Sequence, residues 1–269
     1  QIDKIIVIGQ SKYKPSTLPD WVDFIEAEDF ISHEDDPLLA IRKKKKSSIA
    51  CGLELLKKSL GDAFISMGNT GALVALTSLK MSLQTSIVRP ALLAPISFRK
   101  KTFVIADVGA NINCSKEQIV QFAQMGVQYQ KKVLGKKLPS VALLNVGVES
   151  HKGNKLTRES YQALELYAQD YPDIFSFKGN IEASAVFKEE IDVIVTDGFT
   201  GNVFIKTVEG LLDTLKDSLN SLDSSAAFMG GVDRIIVKSH GASSEEEFIS
   251  AMHLACNLVN SSYLDPKLK

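Results

Sequence analysis

The sequence contains few cysteines and no long apolar segment, and each shortage excludes a class of protein. The three cysteines, Cys51, Cys114 and Cys256, are too widely spaced for a disulfide framework or a structural zinc site. The longest apolar runs span only a few residues, so we expect neither a membrane-spanning segment nor a signal segment at the start. We therefore expect a cytoplasmic protein whose thiols are reduced.

The sequence also has no excess of positive or negative charge. The chain has 31 Lys and Arg against 32 Asp and Glu, a formal charge of −1, whereas nucleic-acid-binding domains are usually basic. One local exception is the run of five cations at residues 42–46. This run is either the solvated end of an amphipathic helix or a patch that docks an acidic partner. No aromatic side chain is interleaved with it, so nucleic acid is not an expected partner.

Apolar strand-like segments alternate with helical segments along the whole chain. Such alternation predicts an α/β fold with a mostly parallel sheet and helices on both faces. A chain with 45% hydrophobic residues fits one α/β catalytic domain over residues 1–269, or two intimately joined subdomains. One continuous helix is predicted from Pro37 to Leu60. Another follows a capping box formed by Ser115 and Gln118, and Gly135 marks its end.

Polar, glycine-containing loops follow six of the predicted strands. They are residues 68–72, 107–111, 145–154, 179–182, 197–202 and 239–243. Because strand ends in an open α/β sheet share one edge, we expect these loops to line one crevice. Their small, amide and hydroxyl side chains offer no cluster of acids, so neither a metal nor a cofactor is expected. The sequence also lacks the dinucleotide, Walker-type phosphate-loop and serine-hydrolase motifs.

The loop at residues 197–202, with the sequence DGFTGN, suggests an anion site most directly. Its glycines would let the backbone approach a ligand, and the helix predicted from about Gly201 would present unpaired N–H groups. On that helix Asn202 and Lys206 are four residues apart and share a face. The alternative is that the glycines serve only the geometry of a strand-to-helix turn.

Taken in order, several segments resemble the phosphate acyltransferase of bacterial phospholipid synthesis, the PlsX family. The segments are GNTGA, RPALLAP, DVGAN, QFAQMG, NVGVESHKGN, KGNIE, DGFTGNVFIKTVEG and KSHGAS. The resemblance implies transfer of a long-chain fatty acyl group from acyl carrier protein to inorganic phosphate, without a cofactor. It also implies a fold like that of isocitrate and isopropylmalate dehydrogenases, and a homodimer. Contact with the membrane surface and with a downstream glycerol-3-phosphate acyltransferase is expected by the same resemblance.

Candidate site residues follow from these loops and this chemistry. The candidate catalytic residues are Lys206, Asn202, His240 and Asp197. Asp197 is expected to orient Lys206 or the loop backbone, and His240 to donate to phosphate or to the leaving sulfur. For each charged candidate the alternative is a structural or surface role. The candidate phosphate- or substrate-binding residues are Gly68, Asn69, Thr70, Gly71, Asn111, Asn154, Gly198, Thr200 and Gly201.

The sequence departs from the family pattern in two places, and rival functions remain. Family members normally begin with a strand and a Gly-Gly-Asp loop, and they usually carry a longer helical segment where this chain has residues 216–224. We expect both segments to be missing from this sequence, and the alternative is a shortened variant of the family. The rivals are a phosphate acetyltransferase that uses short acyl-coenzyme A, a dehydrogenase of the same fold, and a non-catalytic scaffold that binds a carrier protein or the membrane.

Overall fold

Strands alternate with helices along the chain. The computed structural model describes residues 2–99, 101–214, 222–223, 226–241 and 243–264. The strands are β1 (Ile5–Gly9), β2 (Val22–Glu26), β3 (Ala63–Ser66), β4 (Ala91–Phe98), β5 (Lys101–Ala106), β6 (Ser140–Asn145), β7 (Ser176–Glu182), β8 (Val193–Val195), β9 (Leu222–Asp223), β10 (Ala226–Gly230) and β11 (Ile235–Ser239). The α-helices are α1 (Pro37–Lys43), α2 (Ser48–Lys57), α3 (Thr70–Lys80), α4 (Lys116–Lys132), α5 (Lys155–Asp170), α6 (Gly198–Thr214) and α7 (Glu245–Asn260).

Nine of the described strands form one large sheet. Its order is β3-β11-β10-β4-β5-β8-β6-β7, and β9 pairs with β4. Four of the seven pairings along this order are parallel, and the other three, which surround β4 and β10, are antiparallel. Strands β1 and β2 form a separate two-stranded parallel sheet. The predicted α/β class with a mostly parallel sheet is confirmed.

Helices cover both faces of the nine-stranded sheet, and side-chain alternation separates two cores. Along β4, Leu92 and Ala94 face a core shared with α2, α3 and α6. Their neighbours Ala91 and Leu93 face a second core shared with α4, α5 and α7. Successive side chains of a strand point to opposite faces, so an apolar strand with a period of two supplies both cores. The result is three layers, with the sheet in the middle.

The expectation that all six polar loops line one crevice is wrong for two of them: residues 179–182 lie within β7, and the cavity described below includes no residue of 145–154. The strands that carry the other loops also run in two directions. Strands β5, β6, β7, β8 and β10 run one way, whereas β3, β4 and β11 run the other. Loops that follow β3 and β11 therefore leave the opposite edge of the sheet from loops that follow β5, β6, β7 and β8. The two sets can meet only across the face of the central strands.

The predicted single helix over residues 37–60 is also wrong. The chain leaves the helix after Lys43 and resumes at Ser48. Between them Ser47 pairs with Asp29 in a parallel β-bridge, and this backbone pairing to a distant segment prevents a continuous helix. In contrast, the capping box of Ser115 and Gln118 on α4 is confirmed.

Two of the five cations at residues 42–46 are paired within the fold. Lys44 lies 2.5 Å from Asp35, and Lys46 pairs with Glu28. Arg42, Lys43 and Lys45 are exposed and form no ion pair among the residues that the structure describes. The segment 216–224, where a longer helical segment of the family is expected to be missing, lies outside those residues apart from 222–223.

Candidate active site

A cavity of about 80 Å³ lies on the face of the sheet between α3 and α6. One water occupies about 10–15 Å³ on this scale, so the cavity has room for several waters or a small anion. Its floor is made of small and apolar side chains of β4 and β10, including Leu92, Ala94, Ala226 and Ala227. Its polar groups are Thr70 at the start of α3, Asn202, Lys206 and Glu209 from α6, and Lys238, Ser239 and His240 from the end of β11.

Lys238 is the most unusual residue of the cavity. It follows Ile236 by two positions on β11, so its side chain points to the same face of the sheet, between α3 and α6. The residue is only 8% exposed, and its Nζ donates to the backbone carbonyl of Ser239. Burial, and then the nearby charge of Lys206, lowers the pKa of Lys238 to about 8, whereas Glu209 opposes the fall. A buried ammonium with so little negative charge near it suits a site that binds an anion.

One face of α6 supplies the opposite wall. Asn202, Lys206 and Glu209 are spaced by four and three residues, which places them on the same side of the helix. Lys206 Nζ donates to Glu209 Oε2 at 2.5 Å, and the lysine side chain is 47% exposed. Asn202 Nδ2 donates to the carbonyl oxygen of Val108 at 3.2 Å. That bond fixes the amide at the cavity wall and leaves its second N–H able to donate.

The turn after β5 is held by the buried carboxyl group of Asp107. Its two oxygens accept from the backbone N–H groups of Leu92, Gly109, Ala110 and Asn111 at 2.6–3.1 Å. They also accept from Asn111 Nδ2 at 2.9 Å. Burial raises the pKa of Asp107, and the hydrogen bonds from Ala110, Leu92 and Asn111 partly offset that rise. The turn is thereby fixed, and with it the Val108 carbonyl that orients Asn202.

Asp197 caps the first turn of α6 rather than contacting Lys206. Its carboxylate accepts from the Thr200 N–H at 2.9 Å and from the Thr200 hydroxyl at 2.8 Å. The N–H groups of Gly198 and Gly201 donate to the carbonyl oxygens of Asn111 and Asp197, at 2.8 and 2.9 Å. This capping is why α6 begins at Gly198, three residues earlier than predicted. The two glycine N–H groups expected to bind an anion are therefore occupied within the fold.

The glycines of this loop allow two backbone segments to touch. A Cβ at Gly201 would lie 1.9 Å from the carbonyl oxygen of Asp107, and a Cβ at Gly198 would lie 2.7 Å from that of Asn111. No L side chain fits at such distances. The close approach locks the start of α6 onto the turn after β5, so these glycines position the cavity wall indirectly.

Most of the other candidate residues also support loops next to the cavity. Asn69 caps α3 by accepting from the Ala72 N–H, and its Nδ2 donates to the Ser32 carbonyl, both at 3.0 Å. Gly68 and Gly71 pack closely against Ile49 and Pro37.

Two asparagines have comparable roles. Asn111 Nδ2 donates to the carbonyl of Pro90 at 2.9 Å in addition to Asp107. Asn154 caps α5 by accepting from the Thr157 N–H at 2.9 Å, and it is exposed and not part of the cavity.

The structure thus brings together four of the residues singled out in the sequence, Thr70, Asn202, Lys206 and His240. Sequence reasoning missed Lys238, Ser239 and Glu209. For Lys238 an indication was present, because a lysine inside the apolar strand RIIVKS is rare unless its charge is used. Among the described residues no group of three or more His, Cys, Asp or Glu is placed to hold a metal ion. Within the same part of the chain no helix is long and apolar enough to cross a bilayer.

Comparison with solved structures places this fold among known α/β folds. A phosphotransacetylase from Streptococcus pyogenes matches with a TM-score of 0.69 at 15% identity, over 96% of this chain and 86% of that one. A putative 4-hydroxythreonine-4-phosphate dehydrogenase from Salmonella typhimurium matches with a TM-score of 0.54 at 12% identity, over 95% and 84% of the two chains. At such low identity these matches establish the fold alone.

Sequence comparison is more specific. A protein named phosphate acyltransferase from Chlamydia pneumoniae is 42% identical over 230 residues, which covers 81% of this chain and 70% of the relative. Another of that name from Caldicellulosiruptor bescii is 37% identical over 281 aligned positions, covering 94% and 82%. A family model described as fatty acid synthesis protein matches residues 4–225. The chain therefore belongs to the fatty acid synthesis protein family, and relatives that are 37% and 42% identical to it are named phosphate acyltransferase.

Proposed function

We propose that this protein transfers an acyl group from a thioester to inorganic phosphate in the cavity between α3 and α6. Membership of its family makes the protein an acyltransferase. The observation that carries the proposed site is the buried Lys238 ammonium, which shares the cavity with Lys206 above an apolar floor. Two ammonium groups attract a phosphate anion, and the apolar floor accepts the first carbons of an acyl group.

The reaction requires no general base from the protein. The second pKa of phosphate lies near about 6–7, so much of it is a dianion at neutral pH. One phosphate oxygen attacks the thioester carbonyl carbon, the carbonyl oxygen becomes an oxyanion, and the C–S bond then breaks with its electron pair on sulfur. A thiol with a pKa of about 8.5 leaves as the thiolate without full protonation. The protein must hold the dianion beside the thioester and stabilise the oxyanion.

We assign these tasks to the residues that the cavity brings together. Lys238 and Lys206 bind the phosphate, and Thr70 adds the positive end of the α3 dipole. The second N–H of the Asn202 amide is placed to donate to the oxyanion. His240, at the exposed end of the cavity, donates to phosphate or to the leaving sulfur.

We further propose that the donor is a long-chain acyl group on acyl carrier protein, and that the acyl phosphate feeds phospholipid synthesis through a glycerol-3-phosphate acyltransferase. The exposed cations Arg42, Lys43 and Lys45 suit a partner with an acidic surface. A single catalytic domain, a homodimer in the cytoplasm and peripheral contact with the membrane belong to the same proposal. The carrier-protein donor, the homodimer and the membrane contact rest on the sequence resemblance.

A phosphate acetyltransferase acting on a short acyl-coenzyme A is the second candidate, because phosphotransacylases share the fold. A product assay separates the two. Long-chain acyl carrier protein and acetyl-coenzyme A are each supplied with phosphate, and acyl phosphate is trapped with hydroxylamine. We expect product from the carrier-protein thioester. Turnover of acetyl-coenzyme A alone would favour the acetyltransferase, and turnover of neither would favour a non-catalytic scaffold.

Variants at the α6 wall test whether this cavity is the site. Lys206→Ala and Asn202→Ala should each lower kcat/KM for phosphate by at least about tenfold, or about 1.4 kcal/mol of transition-state binding. Lys57→Ala, which removes an exposed lysine of α2 outside the cavity, serves as the matched control. If kcat/KM falls no further in Lys206→Ala and Asn202→Ala than in Lys57→Ala, the reaction takes place elsewhere.

The activity should also depend on the protonation of Lys238. Its pKa is lowered to about 8 by burial, so the ammonium that attracts phosphate is lost as pH rises through that value. The kcat/KM for phosphate, which reports the free enzyme, should therefore decline above pH about 8. Arginine stays charged throughout this range, so Lys238→Arg should lose that decline. An identical alkaline decline in both proteins would contradict the assignment.

A further inference from the structure

The carboxylate of Glu209 is out of place in a cavity that binds an anion. Glu209 lines the same cavity as Lys206 and Lys238, and its carboxylate accepts from Lys206 Nζ at 2.5 Å. Its side chain is 28% exposed, so it is partly shielded from solvent. Like charges repel more strongly in such a partly buried site than in water, and this carboxylate therefore opposes phosphate.

Helix stability does not account for this glutamate. Ion pairs between residues three or four apart on a helix contribute only about 0.2–0.5 kcal/mol. The same pair could have pointed into solvent on the other side of α6. Instead it faces the cavity, where its charge acts on Lys206 directly and on Lys238 through space.

We propose that Glu209 is a positioning residue that holds the Lys206 ammonium at the cavity wall and weakens phosphate binding enough for the acyl phosphate product to leave. This inference rests on the proposed function. The product still carries a phosphate group, so a cavity that binds substrate phosphate very tightly binds the product tightly as well. Two lysines and one glutamate give a formal charge of +1, and without the glutamate the charge would be +2.

The geometry allows Lys206 to exchange between two partners. Its ammonium pairs with Glu209, and when phosphate enters the ammonium can contact both anions. On product release the carboxylate takes the ammonium back. The titratable groups that face the cavity are Lys206 and Glu209 from α6 and Lys238 and His240 at the end of β11. Loss of the Glu209 charge therefore acts on both lysines.

The test compares Glu209→Gln, which removes the charge, with Glu209→Asp, which keeps it. Titration calorimetry with inorganic phosphate at pH 7 should give a Kd for the glutamine variant about 3–10-fold below that of the wild type, where tenfold equals about 1.4 kcal/mol. The aspartate variant should bind phosphate nearly as the wild type does. In turnover, the glutamine variant should show a lower KM for phosphate together with a lower kcat, because product release is slowed.

A second readout separates this role from a purely structural one. Glu209 raises the pKa of Lys238 against the effects of burial and Lys206, so the alkaline decline of activity should move to lower pH in Glu209→Gln. Glu54→Gln is the matched control, since it removes a glutamate paired with Lys58 and Lys80 and lies outside the cavity. It should leave phosphate affinity and the pH profile unchanged.

Two results would overturn the inference, and only one of them would also contradict the proposed function. If Glu209→Gln binds phosphate no more tightly than the wild type, Glu209 does not weaken anion binding, and the proposed reaction is unaffected. If the wild type itself binds no phosphate, both the inference and the proposed function are wrong.

Discussion

Replacing Lys238 with methionine is expected to lower kcat/KM for phosphate by about 10²–10³-fold, the loss typical when one preorganised charge-stabilising donor is removed from an active site. Methionine fills nearly the same space as the lysine stem, so the cavity keeps its shape and loses only the ammonium. Activity is measured as hydroxylamine-trapped acyl phosphate at several phosphate concentrations. The effect should exceed that of Lys206→Ala, because Lys206 is 47% exposed whereas Lys238 is 8% exposed.

The same substitution should stabilise the fold. Burial lowers the pKa of Lys238 from its ordinary value of 10.5 to about 8, so the folded state binds this proton less tightly than the unfolded chain does. The resulting penalty, about 3 kcal/mol, is fully present below pH 8 and disappears as pH rises towards 10.5. Lys238→Met should therefore be more stable at pH 7 by up to that amount, and the advantage should shrink at pH 10. Denaturant unfolding at the two pH values measures it.

Opposite effects on activity and stability are the mark of a residue kept for function. Lys57→Met, which replaces an exposed lysine of α2, should change neither quantity by much. A Lys238→Met protein that keeps its activity within tenfold of the wild type would remove this lysine from the mechanism. One that loses both activity and stability would show that its ammonium serves the fold.

Asp107→Ala is expected to destabilise the protein by about 3–5 kcal/mol, because several N–H donors of one turn lose their acceptor together. The substitution leaves five N–H donors without this acceptor: the N–H groups of Leu92 and Asn111 and the Asn111 side chain are buried, and those of Gly109 and Ala110 are partly buried. Each unsatisfied buried donor costs about 1–3 kcal/mol before the turn relaxes. Thermal and denaturant unfolding, with the yield of soluble protein, measure the loss.

Asp36→Ala is the matched control for this prediction. The Asp36 side chain accepts a single hydrogen bond, from the exposed Leu39 N–H at the start of α1, and loss of such a cap costs about 1 kcal/mol. If Asp107→Ala costs no more than Asp36→Ala, the Asp107 network does not hold the turn. Where the variant remains folded, its kcat/KM should also fall, because the Val108 carbonyl that orients Asn202 moves with the turn.

The layered fold could be predicted from the sequence because its periodicities are local. Alternation along β4 and the capping box of α4 are visible in the residues themselves. Strand direction is not, since it depends on which distant strands pair. Strand β10 was missed because its sequence, AAFMG, is rich in residues of low β-propensity, yet it lies in the middle of the sheet. That strand and β4 make the strands run in two directions.

The site was predictable where spacing on one helix decides it. Asn202 and Lys206 were expected to share a face, and both line the cavity. The glycine and asparagine candidates were harder to judge, because a residue that approaches a ligand and one that approaches another backbone segment look the same in sequence. Gly201 touches Asp107, and Asn69 caps α3. Lys238 could have been found by asking why a charge interrupts an apolar strand.

The position of bound phosphate decides whether the cavity between α3 and α6 is the active site. Arsenate is a close mimic of phosphate, and its anomalous X-ray scattering locates it in crystals of the protein without an acyl donor. We predict an arsenic peak in the cavity between α3 and α6, with arsenate oxygens within about 3 Å of Lys238 Nζ and Lys206 Nζ. An ordered arsenate in another part of the molecule, with only water in this cavity, would contradict it.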